Sequence, residues 1–270
     1  MRILLALALY AACADAADLR WMISMSATRH LDRVDPSHAL SRRFFESPGN
    51  FVVNGKKGSD GFPEGWHCVP AATFSSYAAL QQALGKAELP AAVKAIIYDN
   101  ESWQFTPSEE QHHLDRFEKL AADAIHKHGR TFIATPAADL VPVLNPKVQK
   151  GGRYDEYLRL GVAKSAARYA DVYEIQAQGS ENNLALYTRF VKGAAAQARS
   201  VNPRVLIFAG LSTNPSGKKI TGQQLFEAIQ ATRADVDGYW LNIPAGGAYC
   251  PKCGEPQPQV AVELLRLLGE

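Results

Sequence analysis

Along the chain, short runs rich in β-branched and aromatic residues recur between longer stretches with helical spacing of apolar positions. The strand-like runs fall at 21–26, 51–54, 69–75, 95–99, 131–135, 172–177, 205–211 and 238–243. Helical periodicity is expected over 36–46, 77–84, 108–128, 155–169, 182–200, 222–233 and 258–268. Local signals support several boundaries. Thr106-Pro107-Ser108-Glu109-Glu110 offers a hydroxyl cap, a proline in the first turn and acidic residues near the positive end of a helix, while Gly129 and Asn202-Pro203 mark helix stops. Strand and helix alternate eight times, which predicts an α/β fold of one kind, a single (β/α)8 barrel of parallel strands. The alternative, an open doubly wound sheet, lacks the glycine-rich phosphate loop after its first strand.

Length is consistent with this, because 270 residues suit one such barrel, and a chain that is 47% hydrophobic and 21% charged can build a core. Residues 1–16 combine Arg2, an apolar run and the small residues Ala14-Asp15-Ala16, and so are expected to be a secretory signal peptide, leaving a barrel domain at 17–270. Cys13 raises the alternative of a lipoprotein, although Tyr10 stands where a lipobox carries leucine. The expected destination is secreted or periplasmic. No later run is long and apolar enough for a membrane span. Removing Arg2 and Asp15 leaves the net charge at +2, with basic residues scattered, so nucleic acid is not an expected partner. A neutral or weakly charged ligand fits better, and oligomeric state leaves no mark on the sequence.

The period of two along the strands sorts the polar residues by face. Ile97, Asp99 and Glu101 share one face at the end of the fourth strand. On the sixth, Glu174, Gln176 and Gln178 oppose the apolar Tyr173, Ile175 and Ala177; on the eighth, Trp240 and Asn242 oppose Tyr239, Leu241 and Ile243. With the apolar faces against the helices, the polar ones enter the barrel. They concentrate on even-numbered strands, where one lumen layer brings them together. Buried carboxylates need partners, a shared proton or a catalytic task, so Asp99 and Glu101 are the candidate catalytic pair. Glu174, Gln176, Gln178, Trp240 and Asn242 are candidate substrate-binding residues, with Trp103 and Trp66, in loops, as stacking rings. A satisfied structural network is the alternative for each polar group, and a place in the core for each indole.

Asp-x-Glu at the end of the fourth strand, with amides on the sixth and Trp on the eighth, resembles the chitinase-like family 18 glycosidases and, more loosely, the family 25 lysozymes. The resemblance implies that Glu101 is a general acid, that Asp99 orients a substrate acetamido group whose oxygen attacks the anomeric carbon, and that Trp240 is the floor under the sugar. The chain departs from the family pattern in having Ile97 where a further Asp belongs, and Gln176 and Gln178 where the sixth strand pairs Tyr with Asp or Asn. Asn100-Glu101 is also similar to a barrel clan with a second, nucleophilic Glu on strand seven, but VLIFAGLSTN holds no carboxylate. Glu174 and Glu181 are then the candidates for a base acting on water.

Cys68, Cys250 and Cys253 are disulfide candidates in an oxidising compartment, either within the last loop or from Cys68. Cys250-Pro-Lys-Cys253 with His67 and Cys68 is the alternative of a zinc set. His112, His113, His126 and His128 lie on a charged helix and are expected to be solvated. No metal or other cofactor is expected, and no Gly-x-Ser-x-Gly elbow suggests acyl transfer. The expectation is a secreted glycosidase acting on an amino-sugar polymer. A non-catalytic glycan-binding barrel and a metal-dependent hydrolase are the alternatives.

Overall fold

A computed structural model describes residues 19–248 and 250–270. The expected signal peptide and Cys13 lie outside the described residues. Eight strands, β1 (Arg20–Ser24), β2 (Phe51–Val53), β3 (Val69–Phe74), β4 (Ala95–Tyr98), β5 (Thr131–Ala134), β6 (Val172–Ile175), β7 (Leu206–Ser212) and β8 (Gly238–Asn242), pair in chain order and close on themselves. Every pairing is parallel, including β1 with β8. The fold is a (β/α)8 barrel.

Helices α1 (Met25–Val34) and α2 (Ala39–Phe45) connect β1 to β2, and α3 (Tyr77–Gly85) connects β3 to β4. After β4 come α4 (Ser108–His112) and α5 (Leu114–Lys127), and after β5 come α6 (Val141–Leu144), α7 (Arg153–Leu160) and α8 (Val162–Ala167). The circuit ends with α9 (Leu184–Val201) after β6, α10 (Gly222–Thr232) after β7 and α11 (Pro258–Gly269) after β8.

The structure departs from the sequence reading chiefly at breaks. The chain turns helical at Met25, where a strand was expected to run on to residue 26, because the Ser24 hydroxyl accepts the Ala27 amide at 3.1 Å and starts α1. The helix expected over 108–128 is divided at His113, whose backbone leaves the helical region. The one expected over 155–169 is divided at Gly161, whose φ of 69° suits glycine and ends α7 before α8 begins.

Alternation along the strands separates two cores. Outward residues such as Ile96, Tyr98, Tyr173, Ile175, Tyr239 and Leu241 pack beneath the helices. Inward residues Met22, Phe51, Ala71, Ala95, Ile97, Ile133, Val172 and Phe208 fill the lumen. Phe208 is fully buried and meets Phe51 edge-on, with ring centroids 5.8 Å apart. Gly238 makes room for it, since a Cβ there would stand 2.7 Å from Phe208 Cε1 and 2.3 Å from the Arg20 carbonyl oxygen.

Cys250 and Cys253 form a disulfide within the loop after β8, whereas Cys68 is a buried thiol without a disulfide partner among the described residues, pushed up to about 11 by desolvation. Of the two disulfide arrangements expected, the loop pairing is the one found. Among the described residues no helix is long and apolar enough to cross a membrane.

Phe208→Ala would empty the lower lumen with little room for collapse, because a closed sheet cannot draw in. We expect a loss of about 3–5 kcal/mol in unfolding free energy by urea titration. A loss below about 1 kcal/mol would show that the lumen core does not carry the barrel.

Candidate active site

Above the apolar plug, at the C-terminal ends of the strands, opens a cavity of about 630 Å³. Its position is the one where barrels of this architecture carry their chemistry. Asp99, Glu101, Gln176, Gln178, Trp240 and Asn242 line it, as the even-strand pattern predicts, and Trp103 stands at its edge. Odd strands contribute as well, through Ser24, Thr73, Ser75 and Ser212. These hydroxyls correct the expectation of an even-strand site; they share the inward parity, but small polar residues at strand ends are hard to tell from caps and turns.

The centre of the site is a carboxyl pair. Asp99 follows directly on β4, and its Oδ1 accepts from Thr135 Oγ1 and from Gln176 Nε2, each at 2.9 Å. Gln176 Nε2 also faces Glu101 Oε1 at 3.2 Å and the Thr135 carbonyl oxygen at 2.8 Å. One amide from β6 therefore bridges to both carboxyls of the β4 end. The carboxyls also bond to each other, an interaction that favours the charged form of Asp99. Both are nonetheless held above the usual carboxylate range. Burial is the first cause for each; for Glu101 the negative charges of Asp99 and Asp139 add to it. Glu101 is raised further, so it keeps the proton and Asp99 carries the charge.

Asp139 has no counterpart in the sequence reading. It sits in a 3-10 turn at Ala138–Leu140, accepts the Ser102 amide at 2.9 Å and fixes the segment that carries Glu101. Its own carboxyl is raised by burial and drawn back by Arg153. His30, on α1, also lines the cavity and has no counterpart in the sequence reading; burial, Arg33 and Arg29 all lower its affinity for a proton. Neither residue lies on a strand, so strand parity could not have found them.

Other candidates are distributed more widely. Trp103 is half-buried, its indole N–H bonded to Thr106 Oγ1 at 2.7 Å and its ring edge-on to Phe105. Trp66, expected as a stacking ring, instead lies in the outer core against Phe62, where burial of its apolar surface wins over exposure in a loop. Asn100 is turned away from the cavity and donates to the Glu110 carbonyl oxygen at 3.0 Å. Glu174 faces inward as expected but is completely buried below the cavity, with neither oxygen hydrogen-bonded among the described residues. Glu181 lies behind β7, where its Oε1 accepts the Ser212 amide at 2.9 Å. Burial raises both well above the usual range. Neither can reach a water in the cavity, which removes them as the base considered for an inverting reaction. Among the described residues no three His, Cys, Asp or Glu side chains form a metal-binding group, so the Cys/His set considered for zinc does not assemble there.

No protein-family model matches the chain, and no curated protein matches it. Solved structures with a similar barrel include active domain 2 of a thermostable chitinase from Pyrococcus furiosus, in catalytic-site mutants complexed with chito-oligosaccharides. It has a TM-score of 0.53 at 9% identity over 94% of this chain and 96% of that one. A GH18 chitinase from Pseudoalteromonas aurantia has a TM-score of 0.48 at 10% identity, covering 83% of this chain and 93% of its own. A family 5 glycoside hydrolase from Prevotella bryantii has 0.47 at 10%, covering 89% and 86%. At 9% identity, what this chain shares with the Pyrococcus furiosus domain is the fold.

Glu174 gives the site a measurable signature. The unfolded chain releases this proton near the ordinary value of 4.5, whereas the folded protein retains it to higher pH, so its contribution to stability falls as pH rises above that value. Glu174→Gln removes that slope. The variant's Tm relative to the parent should rise between about pH 5 and about pH 8; a difference that is flat or falls with pH would contradict a protonated Glu174.

Proposed function

We propose that the protein is a secreted glycoside hydrolase acting on an amino-sugar polymer, with Glu101 as general acid and Asp99 as its electrostatic partner. The observation that carries this reading is the carboxyl pair at the cavity wall, bridged by Gln176, in which Glu101 holds the proton and Asp99 the charge. Two carboxyls with separated proton affinities are what acid catalysis of glycosidic cleavage needs.

In this mechanism the bond from the anomeric carbon to the leaving oxygen breaks as Glu101 gives that oxygen its proton. The anomeric carbon gains positive charge, and the substrate's acetamido oxygen closes on it. Asp99 accepts from the acetamido N–H and offsets the positive charge. Glu101, now a carboxylate, takes a proton from the water that opens the intermediate, and the cycle closes. Trp240 offers an apolar surface to the sugar ring. The disulfide between Cys250 and Cys253 is consistent with an oxidising compartment and so with export.

A second reading, a glycan-binding barrel without hydrolysis, draws support from Ile97. That residue belongs to the apolar lumen plug, so the pair lacks the further carboxylate of the chitinase-like pattern directly beneath it on β4.

Product release by mass spectrometry tests the two. The chain lacking residues 1–16 should cleave at least one of chitin oligomers, peptidoglycan or an amino-sugar exopolysaccharide, and Glu101→Gln should slow this by about 10²–10⁴-fold. Equal turnover by parent and variant would remove Glu101 from the mechanism; oligosaccharide binding with no product from either protein would establish the binding barrel.

The pH profile adds a separate check. Activity should decline as pH rises through the raised pKa of Glu101, because the acid is lost. Asp99→Asn takes away a negative charge that holds that proton, so the residual activity should lose its alkaline limb at lower pH than the parent. An alkaline limb that stays in place would dissociate the two carboxyls.

A further inference from the structure

The two glutamines of the β6 end share a face but go to opposite sides. Gln176 turns toward β4 and β5, where Asp99, Glu101 and Thr135 occupy it. Gln178 leans over β7 into a notch at Gly210: a Cβ built on Gly210 would stand 2.4 Å from Gln178 Cδ and Nε2 and 2.7 Å from Oε1. A glycine inside a strand weakens it and marks a place where another group must approach closely. Here that group is an amide lining the cavity. The backbone φ of Gly210 is not positive, so room for the amide is what glycine supplies.

Hydrogen bonding divides the cavity in the same way. The acid pair is satisfied by Thr135 and Gln176. Gln178 and Asn242 also line the cavity, yet make no side-chain hydrogen bond among the described residues. On β8, two residues before Asn242, the buried indole N–H of Trp240 has no partner among the described residues. Gln178, Asn242 and Trp240 bring donors and acceptors together and carry no charge themselves, while the Arg153 guanidinium lies beside Gly179.

We infer that Gln178, seated over Gly210, forms with Asn242 a specificity wall that reads an uncharged substituent able both to donate and to accept, as an N-acylamino group does. A free ammonium or a carboxylate would meet no countercharge on these two amides and would lose its water against them. The inference rests on the proposed glycosidase reading and adds to it residues that select the substrate without taking part in proton transfer.

The test is a double-mutant cycle on chitin oligomers, N-acetylated and de-N-acetylated. Gln178→Ala should raise KM for the N-acetylated oligomer about tenfold, with a smaller change in kcat, and should narrow the preference over the de-N-acetylated one. Gly210→Ala should do the same by displacing the Gln178 amide, and should add nothing once Gln178 is already Ala. Melting temperatures of each variant separate this from misfolding, because the three atoms nearest to a Cβ at Gly210 all belong to the end of the flexible Gln178 side chain. If Gly210→Ala were equally damaging with and without Gln178, the glycine would serve packing and the inference would fail. Unchanged KM and preference in Gln178→Ala, with an active parent, would overturn the inference alone. A parent inactive on all oligomers would overturn the amino-sugar reading together with it.

Discussion

A closed ring of parallel strands has no free edge and no second sheet to pack against, so its interior must be filled by its own inward side chains. That constraint organises the molecule. Lumen positions at the lower end of the strands are apolar, from Met22 to Phe208, and form a plug on which everything above rests. One pleat higher the same face becomes polar: Ile97 belongs to the plug, and Asp99 and Glu101 belong to the cavity. A one-residue slip of β4 would turn both carboxyls under the helices.

The plug also sets the electrostatics. It keeps water from below, and the strands wall the site from the side, so negative charge near the lumen is poorly solvated. Asp99, Asp139 and Glu174 all act on Glu101, and Arg153 draws Asp139 back toward its charged form. Four ionised carboxylates would not persist under these conditions, and burial leads each to favour its proton. Gln176 bonds to both carboxyls, and the hydrogen bonds that Asp99 receives from Thr135 and Glu101 break the symmetry by favouring charge on Asp99. Acid and anion are thereby assigned by surroundings, although the side chains are of one chemical kind.

Gln176 and Gln178 illustrate how far two residues of one strand can be separated in task. Gln176 fixes the carboxyl pair from the side opposite β4, joining groups distant in sequence. Gln178 depends on the absence of a side chain at Gly210. Both glutamines are legible as inward-facing from the alternation of β6; the direction in which each leans is set by its neighbours on β5 and β7.

Periodicity by itself determined the eight strands, the barrel and the inward face of Asp99, Glu101, Gln176, Trp240 and Asn242, because a period of two is a local property of extended chain. Cysteine spacing gave the Cys250 and Cys253 loop pairing as one of two arrangements, since those residues are close in sequence. Tertiary structure decided the rest. It buried Trp66, sank Glu174 and Glu181 out of reach of the cavity, and brought Asp139 and His30 to the site from a turn and a helix. Depth below a surface, and the charge a carboxyl can keep there, depend on atoms contributed by distant segments, and no local pattern along the chain records them.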